Sequence, residues 1–313
     1  MKPRLRLDFA DFHTGFPKVR NFFTQALSHR WEVEICERPE LLIYSHLGHA
    51  HRLSSCRRIF WTEESILPDW SACDGAMTCF RLEDLRHYRL PYYVVRGNAA
   101  ALIREPDEAE RIPPLKTKFC AVVISNAHMK KTRRRIEFYQ ALSAYRPVDS
   151  AGRWNNNIGG PLPVGHDAKR EFLLPYRFSI AFENKALPGY TTEKIFEAME
   201  ARCVPIYWGD PTVALDFNPA SFINASDFPN DAALVAHVAD VDADPAKFRA
   251  YFEAPYFHQN QPNACFDEVA FCDFVASILS TERPPVAHQR RWWQLGRWRM
   301  AKQHRAEDIL PHL

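Results

Sequence analysis

Apolar positions recur along this chain in two rhythms. Near the amino end "LRLDF" (5–9) alternates apolar and polar residues and predicts a strand. "VRNFFTQALSHR" (19–30) spaces its apolar residues as an amphipathic helix, and "WEVEI" (31–35) returns to strand alternation. "ELLIYSH" (40–46), "RRIFWTEE" (57–64) and "LPYYVV" (90–95) are apolar runs of strand length. Between 97 and 118 the pattern lapses into a charged, proline-rich stretch that reads as an interdomain linker. It then restarts. "FCAVVIS" (119–125), "RFSIAFEN" (177–184) and "VPIYWG" (204–209) predict strands, with helices over 130–145 and 191–202. "SFINASDF", two helical stretches and "FDEVAFCDFVASILS" follow, and "QRRWWQLGRWRMAKQHRAEDIL" closes the chain as a basic, tryptophan-rich tail. Strands alternating with helices imply parallel α/β sheets. The expectation is an α/β chain of two domains with a cleft between them, over 1–112 and 113–284, followed by a tail or crossover helix at 285–313.

One junction carries more chemistry than a connection needs. In "AFENKALPGYTTEKIFEAMEARCVPIYWGD" (181–210) a strand runs through a Pro-Gly turn to Thr191 and Thr192, both N-cap types, and into a helix burying Ile195, Phe196 and Met199. A helix start offers free N–H groups and partial positive charge, a seat for phosphate. Lys194 stands in that first turn, where the helix dipole disfavours a cation, and an anionic ligand would account for it. Glu193 can accept two hydrogen bonds from a ribose diol, and Tyr190 offers a ring and a hydroxyl. The set suits a nucleotide diphosphate; an ordinary Glu-Lys pair on an exposed helix start is the competing reading.

Composition narrows the field. The 313 residues suffice for two domains, and 46% hydrophobic with 25% charged residues is a globular balance. A net charge of +2 makes no general case for nucleic acid. The start "MKPRLRLDFADFHTGF" lacks the long apolar run and small-residue site of a secretory signal, and no window approaches ~18 apolar residues, so neither a signal peptide nor a membrane span is expected. The eight cysteines are scattered through core-like segments without a CxxC pair, which predicts reduced thiols in a cytosolic protein and no zinc site.

The segment 178–228 resembles the donor-binding core of the α1,3/4-fucosyltransferases, bacterial members above all. Phe182-Glu183-Asn184 stands for the family's strand end, Tyr190-Thr191-Thr192-Glu193-Lys194 for its helix start, and Val204-Pro205-Ile206-Tyr207-Trp208-Gly209 for its following strand and loop. "FCAVVISNAHMKKTRRRIEFYQAL" resembles the strand, Ser-Asn loop (Ser125, Asn126) and arginine-bearing helix that open the donor domain; alignment on Phe138-Tyr139 puts the phosphate-contacting arginine at Arg135, with Arg133 and Arg134 as neighbours in register. "RRIFWTEESILPDW" resembles the segment with the family's proposed base, at Glu64 with Glu63 as the alternative.

The resemblance implies a GT-B fold, two Rossmann-like domains facing each other across a cleft. It implies an inverting transfer of L-fucose from GDP-β-L-fucose to a glycan hydroxyl, O3 or O4 of N-acetylglucosamine in a surface glycan such as a bacterial lipopolysaccharide or a Lewis-type structure. Glu64 would take the acceptor proton. Arg135, Lys194 and the helix start would stabilise the departing diphosphate without a metal or other cofactor, and Glu183 and Asn184 would face the oxocarbenium-like ring. Ser125, Asn126, Tyr190, Thr192 and Glu193 complete the implied donor set. Asp240, Asp242 and Asp244 mimic the Asp-x-Asp metal motif of the other glycosyltransferase fold, but their place before Pro245 reads as a loop and helix cap. "DFADFHTGF" (8–16), after the first strand, reads either as a lining of the acceptor cleft, with Asp11 and His13 as polar contacts, or as an ordinary loop. The tail has two readings, a helix on an anionic membrane surface or one packed on the amino-terminal domain, so a cytoplasmic protein, peripheral to the inner membrane face under the first, is expected. Two other functions stay open: an inactive nucleotide-sugar or glycan-binding protein, and a GT-B transferase using another GDP-sugar.

Overall fold

The structure, a computed structural model, describes residues 1–125 and 129–288. By packing, Met1–Pro91 and the described residues of 265–288 form one compact unit, and Tyr92–Ala264 a second. In the first, β1 (Arg4–Ala10), helix α1 (Phe22–Ser28), β2 (Glu32–Ile35), β3 (Leu41–Tyr44), β4 (Arg57–Trp61), β5 (Gly75–Thr78) and β6 (His87–Arg89) build a parallel sheet in the order β2-β1-β3-β4-β5-β6. The alternation in β1 turns Leu5, Leu7 and Phe9 into the core, whereas β3 is buried along its whole length, as its unbroken apolar run requires. Asn21 opens α1 with a capping box: its side chain accepts the Thr24 N–H while the Thr24 hydroxyl accepts the Asn21 N–H.

The second unit contains α2 (Tyr92–Arg96), α3 (Glu108–Arg111), β7 (Lys118–Val122), α4 (Met129–Tyr145), β8 (Val148–Ser150), α5 (His166–Leu173), β9 (Tyr176–Phe182), α6 (Glu193–Glu200), β10 (Val204–Trp208), β11 (Ile223–Asn224), α7 (Asp231–Ala243) and α8 (Pro245–Glu253). Its parallel sheet runs β11-β10-β9-β7-β8. The two sheets share one winding: the chain steps outward for one strand, then crosses back over its first strand. Strand order therefore reverses between β1 and β3 in one unit and between β7 and β9 in the other. Ligands of such sheets bind beyond the carboxyl ends of the strands at that reversal.

Three features depart from the sequence reading. "LPYYVV" is not a strand: Tyr92–Arg96 is helical, because Tyr93 and Val94 are buried there, Tyr93 stacked 6.4 Å from Phe196 and edge-on to Phe217 at 5.1 Å. Gly97 permits this approach, since a Cβ there would lie 2.4 Å from the Phe196 ring. The 97–118 stretch is packed rather than a free linker. Arg202 donates to Glu108 at 2.6 Å and to the Ala101 carbonyl at 2.6 Å, and Leu102 is fully buried. Lastly, helix α9 (Glu268–Ser280) returns to the first unit: Phe271 meets Phe22 at 5.7 Å, Arg30 donates to Asp273 at 2.5 Å and the Cys272 thiol reaches the Ala26 carbonyl at 3.3 Å. Packing thus divides the chain at 91/92 and 264/265, where composition suggested 112/113 and 284/285.

Candidate active site

At the reversal point of the second sheet, β9 ends in Phe182 and delivers Glu183 and Asn184, while α4, which follows β7, delivers Arg135. Arg135 Nη2 donates to Asn184 Oδ1 at 2.6 Å. Its neighbours go elsewhere: Arg133 pairs with Glu137 on an exposed face, and Arg134 makes a two-pronged contact with Asp231 at 2.7 and 2.5 Å. Of the three arginines, Arg135 is the one turned into the site, and its Nε is buried without a hydrogen-bond partner among the described residues.

Glu183 is the hub. Its carboxylate accepts the Thr192 N–H at 2.7 Å, the Thr192 hydroxyl, whose oxygen lies 2.8 and 2.7 Å from the two carboxylate oxygens, and Lys194 Nζ at 2.8 Å. Lys194 also donates to Thr192 Oγ1 at 2.6 Å and lies 3.6 Å from Glu193. Thr192 occupies the N-cap position of α6, yet its hydroxyl is spent on Glu183 and caps no N–H of the helix. The start of α6 thus keeps backbone donors without a side-chain cap, with a lysine and a buried arginine nearby, which is the electrostatic setting of an anion site.

Burial pushes the Glu183 carboxyl above its usual range, against the pull of Lys194 and Thr192. Burial alone would lower the Lys194 ammonium, but Glu183 and Glu193 outweigh it and hold it above its usual value. For Glu193, burial acts upward and is overcome by Lys194 and Lys169, which bring it down to about 2. Burial lowers Arg135, with Glu183 and Glu193 opposing. The cluster therefore presents cations already matched to carboxylates at the place where a diphosphate would arrive.

Residues given no role by sequence reasoning hold this arrangement. Buried Asp210 accepts the Gly189 N–H at 2.8 Å, the Thr191 hydroxyl at 2.9 Å and both Thr212 donors at 2.7 Å, fastening the Pro-Gly turn to the loop after β10. Gly209 lies at φ +158°, where a Cβ would meet Glu183 Cγ at 2.5 Å; the strand-end glycine lets the two loops close together. The carboxylate of Asp210 reaches across some twenty residues, which no local pattern shows. On the far side of α6, Lys169 donates to buried Glu197, and His166 Nε2 lies 2.7 Å from Glu200. Tyr190 is buried and Ser125 exposed beyond β7; Asn126 lies outside the described residues, as does the tail from 289 onward.

In the first unit Glu63 and Glu64 follow the carboxyl end of β4, one strand from the reversal. Thr62 Oγ1 accepts the Glu64 N–H at 3.0 Å and touches His46 Nδ1 at 3.0 Å, which fixes the loop; Glu63 keeps one carboxylate oxygen buried without a hydrogen bond among the described residues. Asp11, after β1, has its carboxylate engaged within the first unit. Its carboxylate accepts the N–H groups of Ala50 and His51 at 2.7 and 3.0 Å and meets His51 Nδ1 at 2.5 Å, tying the loop after β1 to the one after β3. Burial works against its charge, but His51 and these N–H groups hold its pKa below the usual value. The Asp240–Asp244 segment is structural: Asp244 caps α8 through the Ala246 N–H at 2.8 Å, Asp242 accepts from Arg146 at 2.8 Å, and Asp240 from Lys247 at 2.7 Å. All eight cysteines are free thiols. Among the described residues, no helix is long and apolar enough to cross a membrane.

Comparison with known proteins matches the two parts of the chain to two family models, the carboxy-terminal one extending past 264 into α9. The family model described as glycosyltransferase family 10 (fucosyltransferase) C-term matches residues 113–293, and that of the alpha-(1,3)-fucosyltransferase FucT N-terminal domain matches 7–96. The alpha-(1,3)-fucosyltransferase FucT of Helicobacter pylori is 31% identical over 271 residues, 73% of this chain and 55% of that protein. The 4-galactosyl-N-acetylglucosaminide 3-alpha-L-fucosyltransferase FUT6 of Pongo pygmaeus is 34% identical over 188 residues, 58% of this chain and 50% of that one. The chain thus spans about half the length of these curated relatives. A crystal structure of an alpha1,3-fucosyltransferase with GDP-fucose superposes with a TM-score of 0.74 at 25% identity, covering 90% of this chain and 92% of the other.

Proposed function

The chain belongs to the family 10 fucosyltransferases and has their two-unit α/β GT-B architecture, and from that premise we propose that it transfers L-fucose from GDP-fucose to a galactosyl-N-acetylglucosaminide. The second unit holds the donor and the first the acceptor. The observation that carries this reading is the Arg135–Asn184 and Glu183–Thr192–Lys194 cluster at the uncapped start of α6. Lys194, Arg135 and the α6 N–H groups meet the diphosphate, and Glu193 the ribose. As the acceptor oxygen bonds to the fucosyl C1, the C1–O bond to phosphate breaks and its electron pair leaves with GDP. The acceptor proton passes to the Glu64 carboxylate, and the product is the inverted α-fucoside. Glu183, screened by Lys194, places negative charge beside the oxocarbenium-like ring.

The test is transfer to N-acetyllactosamine with GDP-fucose and with GDP-mannose, the linkage read by NMR. Fucosylation at O3 is expected; a preference for GDP-mannose, or GDP binding without any turnover, would overturn the assignment. The basic tail is proposed as a contact to an anionic membrane surface on the cytoplasmic side, checked by flotation of the full chain with anionic and neutral vesicles; equal flotation with both would reject it.

A further inference from the structure

The loop after β1, at the strand-order reversal of the first sheet, ends in a stack of aromatic rings. Phe16 lies 4.0 Å from Phe12 with ring planes 24° apart, and Phe12 lies 5.6 Å from Trp61 at 11°. Phe9, Phe23 and Trp61 are buried beneath, Phe9 at 5.2 Å from Phe16, whereas Phe12 and Phe16 are half-buried. His13 beside them is exposed, its ring edge-on to Phe16 at 5.9 Å. The loop is held rather than floppy. Asp11 sits at φ 61° with its carboxylate anchored on residues 50 and 51, and Gly48 is required there because a Cβ would lie 2.5 Å from Asp11 Oδ1. Trp61, the base of the stack, is the last residue of β4, directly before Thr62, Glu63 and Glu64.

A pre-organised aromatic surface at a switch point, next to a carboxylate with a buried unpaired oxygen, is suited to a ligand with one flat apolar face and hydroxyls at its rim. A pyranose is such a ligand. Its C–H bonds carry partial positive charge toward the negative face of a ring. Galactose suits it best among common hexoses, because its axial O4 gathers the hydrogens of C3, C4 and C5 on one side. Resting on the function proposed above, we infer that Phe16 and Phe12 form the subsite for the β-galactosyl residue of the acceptor, so that the adjoining N-acetylglucosamine is presented to the carboxylates after β4. Specificity for a galactosylated acceptor over a bare N-acetylglucosaminide is then a property of this stack. Asp11 contributes only by holding the loop.

The test compares the full chain with its Phe16→Ala, Phe16→Leu and Phe16→Tyr variants, using N-acetyllactosamine and a simple β-N-acetylglucosaminide as acceptors. Phe16→Ala and Phe16→Leu should raise the KM for N-acetyllactosamine about tenfold, a ring-to-pyranose contact comparable to an aromatic pair. The preference between the two acceptors should collapse by the same factor, with kcat little altered, and Phe16→Tyr should restore it. Phe16→Leu keeps apolar volume in case the alanine variant loosens the loop. Saturation-transfer NMR with N-acetyllactosamine reads the subsite without any turnover, so it stands even if GDP-fucose proves the wrong donor. Saturation of galactose H3, H4 and H5 is expected in the wild type and lost in Phe16→Ala. Equal losses on both acceptors, a weaker KM for the donor (guanine on the stack), or galactose saturation that persists in Phe16→Ala would each refute the inference.

Discussion

Lys194 is a cation in the first turn of a helix, where the dipole opposes it, and Glu183 and Glu193 make that position tenable. Removing the ammonium leaves Glu183 buried without its charge partner, a change that costs ~3–5 kcal/mol in comparable pairs. Lys194→Ala should therefore lower the urea midpoint as well as weaken GDP binding in calorimetry. Lys194→Ala with Glu183→Gln should regain part of the stability but not the affinity, which separates the structural from the binding role. Across the first sheet, Glu64→Gln should reduce transfer at least about a hundredfold, the usual scale of a lost general base, with GDP affinity unchanged. If Glu63→Gln alone does this, the base is Glu63, whose buried oxygen has no partner. At this scale the sequence was informative about residue types. It named Glu183, Asn184, Thr192 and Lys194 because they are contiguous with a strand end and a helix start. It missed Asp210, whose carboxylate acts on residues far away in sequence, and it could not show that the oxygens of Asp11 are already taken, because residue type does not record partners.

The elements around the site show how tertiary packing overrides local preference. "LPYYVV" has β-branched and aromatic residues that favour strands, yet it is helical because Tyr93 and Val94 are buried there, Tyr93 against Phe196 of α6, and Gly97 allows the approach. Gly97→Ala should lower stability by about 1–3 kcal/mol in urea unfolding, the range for overpacking, since its Cβ would meet both Phe196 and the Tyr93 carbonyl. The short strands β5, β6 and β8, of three or four residues, carry too little alternation to be read alone. Between α5 and α6 the His166 ring faces Glu197 and Glu200, with Lys169 and Arg96 as the neighbouring cations. Glu197 and then Glu200, against the effect of burial, hold its pKa above the usual value. A raised folded-state pKa stabilises the fold below the unfolded value, about 6.5, and that contribution is lost as pH rises through the folded value. His166→Gln should thus lower the melting temperature more at pH 5.5 than at pH 8.5; an equal loss at both would show that the ring serves packing alone.

For the molecule as a whole, two sheets of one winding make two reversal points, and the candidate residues collect at the carboxyl ends beside them. Helix α9 belongs to the first unit although the chain reaches it last, so a chain ended after Ala264 should lose the unfolding transition of the first unit in calorimetry while the second keeps its own. Retention of both transitions would mean that Met1–Pro91 is self-sufficient. From the sequence by itself came the α/β class, the two-part organisation, the donor motif and its family, because hydrophobic period and contiguous motifs are local properties. The tertiary structure alone decided where the Arg133 and Arg134 side chains go, that α9 completes the first unit, that Asp210 and Asp11 are fasteners, and that Phe12, Phe16 and Trp61 share one stack. Each of these depends on which side chains meet after the chain has crossed its own sheet, and no local pattern records that meeting.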